Sequence, residues 1–160
     1  MAETKKSPKM SKESLLKTVK AADRMFEKSD PKWFDFLAKD VVVYAINQTT
    51  PVIGRDAYKK KFGPSFRKSK RKLNILVRNV QLVGELGVVA QTVQVVQSQI
   101  VATVRQSVVW HQEKGVWVIK HLHAALVGTP VPQKMAPTAE GLSVLNEKIA
   151  TVSAVLGLAQ

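Results

Sequence analysis

Apolar residues near the start of the chain recur at helical spacing. Ser11 is followed by a series separated by four, three and four positions, namely Leu15, Val19, Ala22 and Phe26. The series predicts a helix with one apolar face, and the Ser11 side chain is well suited to cap its first turn. A second start signal, Asp30-Pro31, predicts a short helix, because proline at the first helical position gives up no hydrogen bond.

Valine-rich segments of strand length dominate the second half of the chain. A β-branched run at 41–45 and a short helix at 55–62 precede four longer segments, which span residues 73–83, 88–97, 101–111 and 116–126. The connections between these four segments are short, so neighbouring strands should pair antiparallel. Helices followed by such strands predict an α+β fold, in which the N-terminal helices pack on one face of an antiparallel sheet.

The two ends of the chain differ from this central part. We expect a flexible basic tail at residues 1–10, the folded domain at 11–128 and a Pro-rich linker at 129–137. Residues 138–160 are predicted to form an amphipathic C-terminal helix, because apolar residues recur every three or four positions: Leu142, Leu145, Ile149, Val152 and Leu156. This helix either pairs through a short heptad seam or docks on its own domain.

Composition narrows the classes of function. The chain has 160 residues and is 45% hydrophobic, which suits one domain with a sizeable core. No apolar run approaches the length that crosses a bilayer, and the N-terminus lacks the apolar segment of a secretory signal. We therefore expect a cytoplasmic protein without membrane contact. There is no cysteine, which excludes disulfides, thiol catalysis and cysteine-based metal sites.

The net charge of +13 is concentrated in the first half of the chain. Residues 1–72 contain 19 Lys or Arg and 8 Asp or Glu, including KKK at 59–61 and RKSKRK at 67–72. Such runs either contact polyanions by neutralising phosphates or simply keep the surface solvated. No aromatic residue interrupts RKSKRK to stack on bases, so we expect any polyanion contact to be weak and nonspecific.

The order of elements over roughly residues 12–128 resembles the nuclear-transport-factor-2-like superfamily. VWHQEKGVWVIKHLHAA (109–125) is similar to the closing hairpin of SnoaL-like proteins and of the calcium/calmodulin-dependent kinase II association domain. The residues that match in type and spacing are Trp110, His111, Gly115, Trp117, His121 and His123. Ala125 stands where the family commonly has serine, and IGRDAY (53–58) resembles the family's glycine-led helix.

The resemblance implies a cone-shaped domain whose helices and strongly curved sheet enclose a pocket. Family members use that pocket as an acid–base active site, as a ligand cavity, or within an oligomeric hub. The enzymes rely on a pocket carboxylate, whereas beyond Leu73 this domain has only Glu85 and Glu113, both in predicted turns. Asp35, Asp40 and Asp56 are interpreted as cap or surface residues. An isomerase-like mechanism is therefore disfavoured, and no cofactor is expected.

The two histidines of the last strand are the main candidate site residues. Strand alternation predicts that His121 and His123 share a face with Trp117 and Ile119. Two histidines supply too few ligands for a metal ion, so no metal site is predicted. The structural alternative is that both histidines are half-buried residues that support the fold.

The turn of the closing hairpin determines which side chains face the histidines. If residues 113–115 form a three-residue loop, Ser107 faces His121 and Arg105 faces His123. A cation beside two imidazoles is suited to anion recognition. We therefore predict a ligand-binding set composed of Tyr44, Arg105, Trp117, His121 and His123.

These observations predict a SnoaL-like domain that binds a small polar or anionic organic ligand in its pocket, without strong catalysis. One alternative is an oligomeric assembly module of the kinase association-domain type, and another is a histidine-based isomerase, cyclase or hydrolase. A homodimer or larger homo-oligomer is expected, because the strand at 88–97 would expose an apolar outer face formed by Val89, Gln91, Val93, Val95 and Gln97.

Overall fold

The computed structural model describes residues 10–68, 70–138 and 140–141. Most of the predicted basic tail and nearly all of the predicted C-terminal helix lie outside these residues. The described part confirms the α+β fold, with helices packed against one face of a curved sheet. No helix within it is long and apolar enough to cross a membrane.

The helices and long strands predicted between residues 11 and 128 all have counterparts in the structure. The helical elements are α1 (Lys12–Glu27), a 3-10 helix (Pro31–Phe36), α2 (Arg55–Phe66) and a second 3-10 helix (Gln133–Met135). The strands are β1 (Leu37–Tyr44), β2 (Val52–Ile53), β3 (Lys72–Val83), β4 (Leu86–Gln97), β5 (Ile100–Glu113), β6 (Val116–Leu126) and β7 (Val131–Pro132). β1 begins earlier than predicted, because the chain passes from the first 3-10 helix directly into extended backbone.

Helix α1 begins at a reciprocal cap. The Ser14 backbone N–H donates to the Ser11 hydroxyl at 3.0 Å, and the Ser11 N–H donates to the Ser14 hydroxyl at 3.3 Å. Two N–H groups that the helix leaves unpaired are thereby satisfied. The predicted apolar face is confirmed, since Leu15, Val19 and Ala22 are buried. α1 therefore packs on the sheet along one stripe.

The sheet is mixed rather than wholly antiparallel. Its order is β2-β1-β6-β5-β4-β3, and β7 pairs with the free part of β5. The antiparallel meander from β3 to β6 is confirmed. However, β1 runs parallel to β6, because the chain leaves β1, crosses to the far edge through α2 and then returns strand by strand. A parallel pair requires such a long crossover, and local sequence patterns do not reveal it.

An aromatic cluster fixes α2 to the rest of the domain. Phe66 of α2 packs against Phe26, Trp33 and Phe34, with ring centroids 5.0 to 5.7 Å apart. Tyr58, two turns earlier, packs against Trp33 and Phe34, and burial raises the pKa of its phenol to about 12. The inward side of α2 is therefore apolar and aromatic.

The closing hairpin turns through two residues, not the predicted three. Glu113 pairs with Val116, and the loop residues Lys114 and Gly115 have φ angles of 49° and 80°. Two positive φ angles match a type I′ turn, whose twist suits the flanking strands. A β-bulge at Lys120 then shifts the register.

The bulge overturns the predicted partners of the histidines. Ser107 faces His123 rather than His121, and Arg105 faces Ala125 rather than His123. The predicted pairing is therefore wrong by one residue at the turn and by two beyond the bulge.

Part of the predicted Pro-rich linker joins the sheet. Val131 and Pro132 pair with the start of β5, and the Gln94 side-chain amide donates to the carbonyl of Pro137. Gln94 and Thr103 are buried on the sheet face opposite the helices. The segment that follows β6 therefore covers one end of that outer face.

Candidate functional site

The bulge in β6 also decides which side chains face the helices. Trp117 and Ile119 are buried on this inner face, and beyond Lys120 the buried residues are Leu122 and Ala124. His121 and His123 consequently point to the opposite, outer face. The prediction that both histidines share a face with Trp117 is wrong, because one extra residue reverses the alternation of a strand.

The five predicted site residues are not brought together around one cavity. On the outer face the ring of Tyr44 lies 6.2 Å from that of His121 and 5.9 Å from that of His123. Arg105 is exposed on the same face, beyond the histidines. Trp117 is buried in the core, where its indole N–H donates to the Ser14 hydroxyl at 3.0 Å. None of the five lines the cavity described below.

A cavity lies between α1 and the inner face of the sheet. Its volume is about 70 Å³, and we refer to it as the inner cavity. Its apolar lining residues come from the N-terminal helices and four strands: Val19, Ala22, Phe26, Trp33, Leu73, Val89, Val93, Val95, Val108, Trp110, Ile119 and Leu122. Its polar lining residues are Asp23, Gln91 and Gln106. Because Val89, Gln91, Val93 and Val95 line it, the prediction that they form an outer face is wrong.

Four polar side chains form a continuous row beside the inner cavity, which we call the polar row. Arg78 Nη2 lies 2.8 Å from Oδ2 of Asp23 in an ion pair that lacks hydrogen-bond alignment. Arg78 Nε donates to Oε1 of Gln91 at 2.7 Å, and Gln91 Nε2 donates to Oε1 of Gln106 at 2.6 Å. The strand register creates this row, since Arg78, Gln91 and Gln106 are direct neighbours on β3, β4 and β5.

The carboxyl group of Asp23 is electrostatically perturbed. Burial raises its pKa, and this effect exceeds the opposing attraction of the Arg78 guanidinium. A carboxyl group with a raised pKa can hold or exchange a proton closer to neutral pH than an exposed one can. Asp23 is therefore the one described lining residue of the inner cavity with acid–base character.

Trp110 adds an unused hydrogen-bond donor. Its side chain lines the inner cavity and is 3% exposed. Its indole Nε1 is buried and has no hydrogen-bond partner among the described residues. Leaving such a group unpaired typically costs about 1 to 3 kcal/mol, so an acceptor atom beside it would be stabilised.

Sequence reasoning missed Asp23, although a signal was present. Asp23 follows Val19 by four positions and Ala22 by one, which places it at the margin of the apolar face of α1. A charged residue at such a position needs a partner on the surface that the helix covers. The partner, Arg78, comes from β3, whose register with the rest of the sheet could not be read from local patterns.

The outer face carries a separate group of charges at the surface. Lys120 Nζ lies 2.6 Å from Asp40 Oδ1 and 3.5 Å from Glu113 Oε1. The hydrogen bond between Lys120 and Asp40 raises the pKa of the amine and lowers that of the carboxyl group. Within the described part of the chain, no group of three or more histidine and acidic side chains is placed to hold a metal ion.

Solved structures share this architecture at low sequence identity. An NTF2-like protein of unknown function from Pseudomonas putida is 16% identical, with 73% of this chain and 89% of that chain covered and a TM-score of 0.66. A Catenulispora acidiphila structure in complex with S-DNPA is 10% identical, with 71% and 91% covered and a TM-score of 0.62. The CaMKII hub of S. rosetta is 16% identical, with 75% and 99% covered and a TM-score of 0.61.

These likenesses show that the chain has the NTF2-like α+β fold. The model of the SnoaL-like domain matches residues 16–128, so the chain belongs to the SnoaL-like family. The resemblance inferred from the closing hairpin is thereby confirmed. No curated protein matches the chain.

Proposed function

We propose that the chain binds a small organic molecule carrying a carbonyl or hydroxyl group in the inner cavity. The observation that carries this proposal is the polar row of Asp23, Arg78, Gln91 and Gln106 beside otherwise apolar walls. A few placed polar groups in an apolar cavity are typical of ligand sites. The carbonyl or hydroxyl oxygen would accept from the indole N–H of Trp110 and complete its hydrogen bonding.

The charges of the polar row favour a neutral ligand over an anionic one. The guanidinium of Arg78 already pairs with the carboxylate of Asp23. An anion would have to compete with Asp23 for Arg78 and would bring a second negative charge into a partly desolvated space. A neutral molecule with one acceptor and one donor incurs no such cost. The sequence predicted a polar or an anionic ligand, and the charges of the polar row favour the neutral polar one.

The size of the inner cavity limits the ligand further. Its 70 Å³ is about half of an engineered cavity of roughly 150 Å³ that binds benzene. By this comparison a molecule of about three or four non-hydrogen atoms fits the cavity, and a larger one requires side chains to move. Such small ligands bind weakly, with dissociation constants on the order of millimolar.

The test uses acetamide as the polar probe and cyclobutane as an apolar probe of the same atom count. The indole N–H resonance of Trp110, assigned with Trp110→Phe, reports binding by NMR. We expect acetamide to shift this resonance saturably in the millimolar range, because its carbonyl satisfies the indole donor. Cyclobutane should bind more weakly, since it leaves the donor unpaired.

A matched pair of variants locates the binding. Gln91→Leu removes a polar-row amide that bonds both Arg78 and Gln106, whereas Gln81→Leu makes the same change at an exposed position of β3. Acetamide affinity should fall severalfold in Gln91→Leu and stay unchanged in Gln81→Leu. The proposal is overturned if the indole resonance of Trp110 does not shift at acetamide concentrations up to about 100 mM, which is far above the expected dissociation constant.

The raised pKa of Asp23 favours a second function, proton transfer to and from the bound ligand. The carboxylate would remove a proton from a carbon next to the ligand carbonyl, leaving an enolate whose oxygen accepts a hydrogen bond from the Trp110 indole. The carboxyl group formed in this step would then return a proton to that carbon. The histidine-based alternative loses its geometric basis, because His121 and His123 lie on the outer face. With acetone in D₂O, deuterium should enter the methyl groups faster with the protein than with Asp23→Asn. Equal rates for both proteins would exclude this function.

A further inference from the structure

The segment from α2 to the start of β3 carries an unusual excess of positive charge. Residues 55–72 contain nine Lys or Arg and a single acidic residue, Asp56. This short segment therefore supplies more than half of the net charge of +13 that the whole chain carries. The aromatic side of α2 packs inward through Tyr58 and Phe66. The cations are therefore left on the outward side of the helix and in the turn that follows it.

Most of these cations have no partner among the residues that the structure describes. Six of them are exposed and form no hydrogen bond or ion pair with the described residues: Lys59, Lys60, Arg67, Lys68, Lys70 and Lys72. The negative charges beside them are Asp56 on the same helix and, next to Lys72, the Glu27 carboxylate, which accepts from the Leu73 backbone N–H at 2.8 Å. Unpaired like charges repel one another, so the surface is poised to gain free energy from an external anion.

Arg71 differs from its neighbours and fixes the position of the basic turn. Its guanidinium lies 4.6 Å above the ring of Phe26 and 4.5 Å above that of Phe66, and it donates to the Phe66 carbonyl at 2.9 Å. Its charge is thus used in packing rather than presented to solvent. Because Arg71 is held in this way, the flanking Lys70 and Lys72 are presented from a fixed backbone.

Three of the exposed cations share one outward face of α2, which we call the basic face. They are Lys59, Lys60 and Arg67, and they surround a shallow depression over Gly63 and Pro64, with Asp56 beside them. Seven residues of helix separate Lys60 from Arg67, a rise of about 10 Å. A helix face with cations spread along it suits an extended polyanion better than a single compact ion.

We propose that this basic face binds the phosphate backbone of a nucleic acid. The phosphates of one nucleic-acid strand follow one another at about 3.4 Å of duplex axis, so several of them can lie along the cations of this face. None of the large apolar side chains in the described part of residues 55–72 is exposed, so the face lacks the apolar contacts by which a helix inserts into a lipid surface. The aromatic side chains of α2 are turned inward, so none of the described residues in the segment offers a platform for base stacking. The contact is therefore to phosphates and independent of base sequence.

The test measures the binding of fluorescein-labelled single-stranded 20-mers by anisotropy between 50 and 200 mM salt. The full chain should bind oligonucleotides of different sequence equally well, with affinity falling steeply as salt rises. The triple variant Lys59→Gln, Lys60→Gln, Arg67→Gln should bind at least tenfold more weakly at 50 mM salt. Its slope of log affinity against log salt should fall by about 2, since each lost phosphate contact removes roughly 0.7.

Helix α1 supplies a matched control. The variant Lys17→Gln, Lys20→Gln, Arg24→Gln removes two lysines and one arginine from exposed positions of another helix, and it should bind like the unmodified chain. Equal weakening by both triple variants would mean that net charge acts without a site and would overturn the proposal. Affinity of the unmodified chain that hardly changes with salt would also overturn it, whatever the variants do.

Two competitors distinguish other polyanions. Anionic vesicles of phosphatidylserine, or poly-glutamate matched in charge, should displace the oligonucleotide less well than unlabelled oligonucleotide does. Displacement by either competitor at equal or lower charge concentration would replace the nucleic acid with a membrane or an acidic protein as the partner.

Discussion

Replacing Arg78 with methionine should lower the free energy of unfolding by about 2 to 4 kcal/mol near neutral pH. The change leaves the Asp23 carboxylate without the guanidinium 2.8 Å away and Gln91 Oε1 without its donor at 2.7 Å. Removing one partner of a buried ion pair costs about 3 to 5 kcal/mol. The 24% exposure of the Asp23 side chain lets water recover part of that cost.

The loss should grow as pH rises, and the direction follows from the pKa of Asp23. Burial raises this pKa above its ordinary 3.8, and Arg78 opposes the rise, so the variant raises it further. A folded-state pKa above the unfolded value means that the folded state binds the proton more tightly. Stability is then lost as pH rises from the unfolded pKa through the folded pKa. The extra loss in the variant is about 1.4 kcal/mol for each additional unit of pKa shift.

Urea unfolding followed by tryptophan fluorescence at pH 4 and pH 7.5 measures both effects. Arg105→Met is the matched control, because Arg105 is exposed and pairs with none of the described residues. It should change the unfolding free energy by less than about 0.5 kcal/mol. Adding Asp23→Asn to Arg78→Met should remove the difference between the two pH values. An equal loss of unfolding free energy in Arg78→Met at pH 4 and at pH 7.5 would refute this explanation.

Three further outcomes are expected. Light scattering at micromolar concentration should return a multiple of 17.7 kDa, because the neighbouring side chains of Val83 and Leu86 are 57% and 38% exposed at the β3–β4 turn; a monomer mass contradicts this. His121→Ala should change the unfolding free energy by less than about 1 kcal/mol and leave acetamide affinity unchanged, whereas a tenfold loss of affinity would place His121 in the site. Gly115→Ala should lose about 1 kcal/mol, because φ is 80° there; an unchanged thermal midpoint would argue against strain.

The elements of the fold were predictable because their signals are local. The apolar spacing of α1 and its Ser11 cap lie within a few turns of one another, and Asp30-Pro31 marks the next helix within two residues. The long valine-rich strands and their short connections likewise define the meander. The parallel pairing of β1 with β6 was not predictable, since it joins strands separated by the whole crossover and depends on the completed sheet.

The candidate site was not predictable from alternation alone, because of one bulge. The extra residue Lys120 exchanges the faces of β6, so Leu122 and Ala124 line up with Trp117 while His121 and His123 turn outward. The polar row was hidden for a related reason. Arg78, Gln91 and Gln106 lie on three different strands, and only the assembled register makes them neighbours of Asp23.

One aromatic cluster connects the two proposed sites. Phe26 and Trp33 line the inner cavity, and Phe66 of α2 packs against both at 5.7 Å. Phe26 and Phe66 also hold the guanidinium of Arg71, which positions the basic turn. A substitution within this cluster would therefore disturb the cavity wall and the basic segment together, and it could not assign an effect to either.

Exposed charges on α2 and amides of the polar row lie outside that cluster, so their substitution separates the sites. If acetamide affinity survives the α2 triple variant and oligonucleotide affinity survives Gln91→Leu, the sites act independently on one rigid frame. If either variant instead loses both acetamide affinity and oligonucleotide affinity, the two sites are coupled. Binding of a ligand in the inner cavity would then change the affinity of the basic surface on α2.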